Sequence, residues 1–220
     1  MWQNLYAVPN ETLANLQRQL RDKFPMARHG LAPVSAEPRL EFDLRNPASF
    51  PCGGITEIVP AHPAAGLSLF VASLLEHEAA DSEIPELALI DGRDNFDPGS
   101  FSSNECSRLL WIRCKTPEQS IKAADLILRD GNLPRVVIDL LAFPMSELRK
   151  IPSSVWHRLK QLIEINVLSV IALCPHALVP CARLRLSMSS GFTLDHLLFS
   201  REELVQQLRS TSVLQRRSAQ

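Results

Sequence analysis

The residues with the most chemical potential follow a short apolar run. Residues 55–59 lead into Pro60-Ala61-His62-Pro63-Ala64-Ala65-Gly66-Leu67-Ser68, and then into an apolar helical stretch. Strand, tight loop and helix form the setting in which backbone N–H groups and a lysine cradle nucleotide phosphates, in the pattern G-x-x-x-x-G-K-[ST]. On that template Ala61 takes the place of the first glycine and Leu67 that of the lysine, while Gly66 and Ser68 remain. Leu67 supplies no charge to a phosphate, and Pro63 removes one backbone donor from the cradle. Composition agrees: the chain holds 8 glycines against 16 prolines, so little glycine is left for a phosphate loop. Ser68 could ligate Mg²⁺ or simply satisfy backbone donors in the first helical turn. For His62 the readings are contact with an anion or a solvated loop histidine, and the second is preferred.

Asp139 lies near the end of the run RVVIDLL, where a carboxylate can reach Mg²⁺ through water. The plainer role is acceptance of backbone N–H bonds at a strand end, preferred because the loop has no lysine. The five cysteines (52, 106, 114, 174 and 181) form no C-x-x-C pair and have no histidine at ligand spacing, which argues against a metal site. They read as buried thiols in a reducing cytoplasm. The start of the chain has no signal-peptide pattern, and no apolar run reaches the roughly 20 residues that span a bilayer.

Charge is unevenly placed. The formal net charge is −1, but residues 1–105 hold 7 Lys/Arg against 15 Asp/Glu and residues 106–220 hold 16 against 9. Arg183 and Arg185 alternate with Leu184 and Leu186, so both arginines fall on one strand face. With Arg201, Arg209, Arg216 and Arg217 they form a candidate basic surface for DNA or an acidic partner; a solvated strand face is the equal alternative. Trp111 in RLLWIR reads as sheet packing rather than a base-stacking platform, since the 13 aromatics are not interleaved with Lys or Arg.

These residues need a frame to position them. A helix is expected over 10–23, within an N-terminal segment 1–24, followed by a Pro-rich linker 25–52 and a body 53–220. Strands are expected at 55–59, 86–91, 108–113, 135–141, 167–173 and 181–188, with 194–199 as a last strand. Between them fall a helix over 66–79, a second with Thr116 as N-cap, Pro117 at N1 and Gly131 at C′, and a third capped by Ser154. Ile121, Ala124, Leu126 and Leu128 supply the apolar contacts of the second. Residues 201–215 read as a final amphipathic helix. Short apolar strands alternating with helices imply α/β architecture: a mostly parallel sheet covered on both faces, finishing with antiparallel strands from a late hairpin near 181–199.

In this order the segments resemble the core of RecA-like recombinases. GGITEIVPAHPAAGLSL is similar to that family's Gly-Gly strand and phosphate loop, and LALIDGRDNFDP to its next strand and acidic segment. RVVIDLL is similar to its metal-associated strand, VLSVIALCP to the strand ending in a nucleotide sensor, and CARLRLSM to the one after. The resemblance covers about residues 50–190, and the departures from it are systematic. Arg93 stands where the family has the glutamate that polarises water, Cys174 or Pro175 where it has a sensor glutamine, and both DNA-binding loops are short (142–152 and 176–180). The resemblance therefore implies a pseudo-ATPase, with Gly66, Ser68 and Asp139 as vestiges of a nucleotide site and no catalytic residue. The segment LLWIRCKTPEQSIKAADLILRDG is most similar to the ImuA branch, associated with SOS mutagenesis and an error-prone polymerase. SulA-like division inhibitors are the alternative, and an active ATPase with an atypical loop a third. The resemblance implies a cytoplasmic protein without a dedicated cofactor (weak ATP–Mg²⁺ binding left open), whose partner is a recombinase or polymerase subunit. DNA would be at most a weak ligand, no membrane is involved, and a homo-oligomer stays open.

Overall fold

Runs of Ile, Val and Leu recur between amphipathic stretches, and in the computed structural model of the chain they become neighbouring strands. The structure describes residues 44, 49–63, 65–76 and 85–215, all within the unit Arg39–Gln220. The expected segment 1–24 and most of the linker 25–52 lie outside the described residues. In chain order the elements are β1 (Gly54–Pro60), α1 (Leu67–Glu76), β2 (Leu87–Gly92), α2 (Ser103–Ser107), β3 (Leu109–Cys114) and α3 (Pro117–Asp130). Then come β4 (Arg135–Asp139), α4 (Met145–Leu148), α5 (Ser153–Asn166), β5 (Ser169–Leu173), β6 (Leu184–Ser190), α6 (Arg201–Val205) and β7 (Leu208–Gln215).

The described strands form one sheet in the order β3-β2-β4-β5-β1-β6-β7. Every pairing is parallel except β6 with β7. Side chains of the central strands alternate between two apolar layers, as the pleat requires. Ala88, Ile90, Val136, Ile138, Val170 and Ala172 join the layer of α3 and α5, with Trp156 buried in it. Leu87, Leu89, Val137, Ile171 and Leu173 join the opposite layer with Phe70, Leu74 and Leu75 of α1. Leu44 and Phe50 are buried in that second layer as well, so the core draws on residues before Gly53.

Local chemistry explains the best-defined helix. Thr116 accepts the N–H of Gln119, Pro117 opens α3, and Gly131 closes it in the left-handed region at φ 74°. Ile121, Ala124 and Leu128 are buried, but Leu126 is exposed on the outer face. The cap of α5 is Pro152 instead of Ser154: its extended backbone already directs the chain into the helix, and no side chain bonds the first turn.

Two expectations near the C-terminal side are corrected. Residues 194–199 form a short 3-10 turn over Leu194–Leu198, because the Thr193 and His196 side chains reciprocally bond the turn's backbone. The helix expected over 201–215 stops at Val205. Leu208–Gln215 is a strand, antiparallel to β6 with Met188 opposite Ser210. Leu208 and Ser210 are buried while Arg209 is exposed, a period of two, and pairing satisfies the backbone groups of β6 on that side. The sheet does finish with antiparallel strands, yet the partner of β6 is 208–215 and not 194–199.

Candidate functional site

The carboxyl ends of parallel strands are where such sheets place ligands. At this edge β2 and β4 present Asp91 and Asp139, which sit opposite one another in the register. Asn95 ties them together: its backbone N–H donates to Asp91 Oδ1 at 2.7 Å, and its side-chain amide donates to Asp139 Oδ2 at 2.9 Å. Asp91 also accepts the N–H of Phe96 at 3.3 Å and the indole N–H of Trp111 at 2.9 Å. Asp139 Oδ1 accepts the N–H of Leu141 at 2.9 Å. Both carboxyls are buried, Asp91 completely and Asp139 to within 6%. Burial pushes the Asp139 carboxyl above the usual carboxylate range and nearby Asp91 adds to this, against the lowering effect of the bonds from Asn95 and Leu141. Each oxygen of Asp139 thus carries a protein donor, one a backbone N–H and the other a side-chain amide.

The loop between β1 and α1 has a different character. Ala61, His62 and Pro63 are exposed, and His62 Nε2 accepts the Ser190 N–H at 3.4 Å. Gly66 takes φ 83°, and a Cβ there would come within 2.6 Å of Leu208 and 3.1 Å of Phe192. Its glycine is therefore required by conformation and by side chains packed from β7 and the preceding turn, independently of any phosphate. Leu67 is half-buried and Ser68 exposed. A cavity of about 700 Å³ opens over this loop, lined by Gly66, Leu67, Ser68 and Asn95 with Pro175 and His176 opposite; no lysine or arginine among the described residues lines it. Ser68 and Asn95 also border a second cavity of about 450 Å³, which Asp139 lines. The structure thus brings Gly66, Ser68 and Asp139 to one end of the sheet, in two adjoining spaces.

Arg93, on the turn after β2, has φ 66° and an ion pair with Glu147 of α4 at 3.0 Å, while its guanidinium lies 5.5 Å from the Phe143 ring centre. It braces the short 142–152 loop. Cys174, at the sensor position, is fully buried. Burial holds its thiol well above the usual range, and the charges of Glu57 and Asp139 push it further, so it is a neutral core group.

The described arginines of the candidate basic surface each meet protein acceptors. Arg185 turns to Glu57, a wholly buried carboxylate on β1, and donates from Nη2 to the Val179 carbonyl at 2.9 Å. Glu57 also accepts the N–H groups of Leu178 and Val179. Arg183 donates to the Cys52 carbonyl at 2.9 Å, and Arg209 to the Gln206 carbonyl at 3.0 Å. Arg201 pairs with Glu105 at 3.2 Å and donates to the Ser100 carbonyl. Arg216 and Arg217 lie outside the described residues. Among the described residues there is no group of three His, Cys, Asp or Glu that could hold a metal ion, and no helix is long and apolar enough to cross a membrane.

Asn95, Asp91 and Glu57 were not singled out in the sequence. An Asn four residues after a strand-end Asp is a signal for a side chain closing a turn. A lone Glu inside the apolar strand GITEIVP calls for a buried partner.

No protein-family model matches the chain, and no curated protein matches it. Among solved structures it is similar to one titled "Crystal structure of the RadB recombinase", with a TM-score of 0.48 and 13% identity over 64% of this chain and 76% of that one.

Proposed function

We propose that the chain is a non-catalytic, RecA-like accessory protein of the ImuA type, acting in the response to DNA damage through protein contacts and without hydrolysing nucleotide. The observation that carries this reading is Asp139. The carboxylate best placed to hold Mg²⁺ is buried, pushed by that burial above the usual carboxylate range, and bonded through both oxygens to Asn95 and Leu141. In the adjoining loop cavity, no lysine or arginine among the described residues lines the wall. A nucleotide triphosphate brings several negative charges, and binding it requires donors and cations that stabilise those charges out of bulk water. Here the loop supplies Leu67 in place of lysine, and Pro63 in place of a donor. The position of the water-polarising glutamate holds Arg93, engaged by Glu147.

With the phosphate site given up, the surfaces open to selection are those that face partners. Arg185 is spent on Glu57 inside the protein, which weighs for a protein partner over DNA. The test is a pull-down of the full chain against a recombinase filament, an error-prone polymerase complex and the tubulin-like division protein. Retention by the first or second supports the reading. Retention by the division protein alone replaces it with the division-inhibitor role. Steady ATP turnover that is lost in Asp139→Ala overturns the non-catalytic part.

A further inference from the structure

The 450 Å³ cavity lies under α1, between that helix, the segment 95–101 and α6, and Ser68 and Asp139 border it. Its volume falls in the range of small-molecule sites, roughly 300–1,000 Å³. Its walls are aliphatic and aromatic, with Val71 and Ala72 of α1, Leu89 of β2, Phe96 and Phe101 beyond it, and Leu204 of α6. Phe96 stacks on Phe101 at 4.8 Å between ring centres and meets Trp111 edge-on at 5.5 Å, so this wall is a preassembled aromatic surface.

Asp139 and Asn95 bring acceptors to its lining. Each Asp139 oxygen accepts one bond and retains capacity for another. The Asn95 amide nitrogen is used on Asp139, and among the described residues no donor meets its amide oxygen. Among the described lining residues the cation is Arg201, held by Glu105 and the Ser100 carbonyl and 4.6 Å from the Phe101 ring centre. It closes the wall and has its charge already met.

We propose that this cavity binds a small uncharged aromatic molecule carrying one N–H or O–H donor. The apolar body fills the space lined by Val71, Ala72, Phe96 and Phe101, and the donor reaches the acceptors of Asp139 and Asn95. An anion is rejected, since Asp139 and Asp97 face it and Arg201 is already paired. This inference is independent of the partner-docking role and survives if that role fails.

The experiment is calorimetric titration of the full chain with indole, 1-methylindole and indole-3-acetate. Indole is expected to bind one-to-one and saturably. 1-Methylindole, with the same apolar body and no donor, is expected to bind about 10-fold more weakly, as is typical when a buried acceptor loses its donor. Indole-3-acetate is expected to be weaker still. Ala72→Leu, which fills the space from α1, is expected to weaken indole more than about 10-fold. If that variant does not fold, Leu204→Phe fills the same space from α6. No saturation with indole, equal affinity for 1-methylindole, preference for the acetate, or full affinity in a folded cavity-filled variant would each overturn the proposal.

Discussion

Two structures at the carboxyl edge of one sheet have parted company. In the acidic corner Asp91 and Asp139 are buried beneath an exposed Asn95, and every carboxyl oxygen meets a donor. The adjoining β1–α1 loop is exposed through Ala61, His62 and Pro63, and no lysine or arginine among the described residues lines its cavity. In a nucleotide enzyme both regions work on one ligand, so both are constrained together. Here the corner is held by its own hydrogen bonds, and the loop by the packing of Gly66 and by backbone bonds such as Ala61 N–H to the Met188 carbonyl. A residue whose role passes from ligand to scaffold stays essential for stability, whereas one whose ligand is gone becomes free to vary.

That contrast is open to measurement, and the largest effect lies at the buried pair behind both regions. Glu57→Ala leaves Arg185 and the Leu178 and Val179 N–H groups without their acceptor, and is expected to lower stability by about 3–5 kcal/mol in urea unfolding. Asp91→Ala orphans the Asn95 and Phe96 N–H groups and the Trp111 indole, for a loss of about 2–4 kcal/mol and a changed tryptophan emission. A loss of under about 0.5 kcal/mol in either would dissolve the idea of a scaffold corner. Gly66→Ala, strained at φ 83° and crowded by Leu208, is expected to destabilise by more than about 1 kcal/mol. Arg93→Ala, which removes a partly exposed ion pair with Glu147, is expected to shift stability by no more than about 1 kcal/mol.

Asp139 adds a dependence on pH. Because its carboxyl is raised in the folded chain, the folded state holds that proton more tightly than the unfolded state does. The stability it contributes is full below the ordinary carboxylate range and is lost as pH rises through the raised value. Asp139→Asn has no such proton, so its stability relative to the native chain improves with rising pH across that window. Parallel unfolding midpoints at every pH would contradict the burial argument.

Much of this was legible from residue types alone. Thr116, Pro117 and Gly131 bound α3 because local capping decides it, and the central strands declared themselves as apolar runs between turn signals. The segment 201–215 misled because Leu204, Val205 and Leu208 satisfy a helical stripe, while Leu208 and Ser210 satisfy a strand. Only the open edge of β6, a tertiary fact, chooses between them. Arg185 read as a surface cation because its neighbours alternate. Its register partner Glu57, 128 residues earlier, turns it inward, and sequence distance hides that pairing. The site residues were found by motif position, but the Asn95 bridge joins groups that only the fold brings together.

The most direct test of the non-catalytic reading is calorimetric titration of the full chain with ATP–Mg²⁺, beside Asp139→Ala. The account predicts no saturable heat in either protein. Binding at low micromolar concentration that disappears in Asp139→Ala would show a working nucleotide site and contradict it.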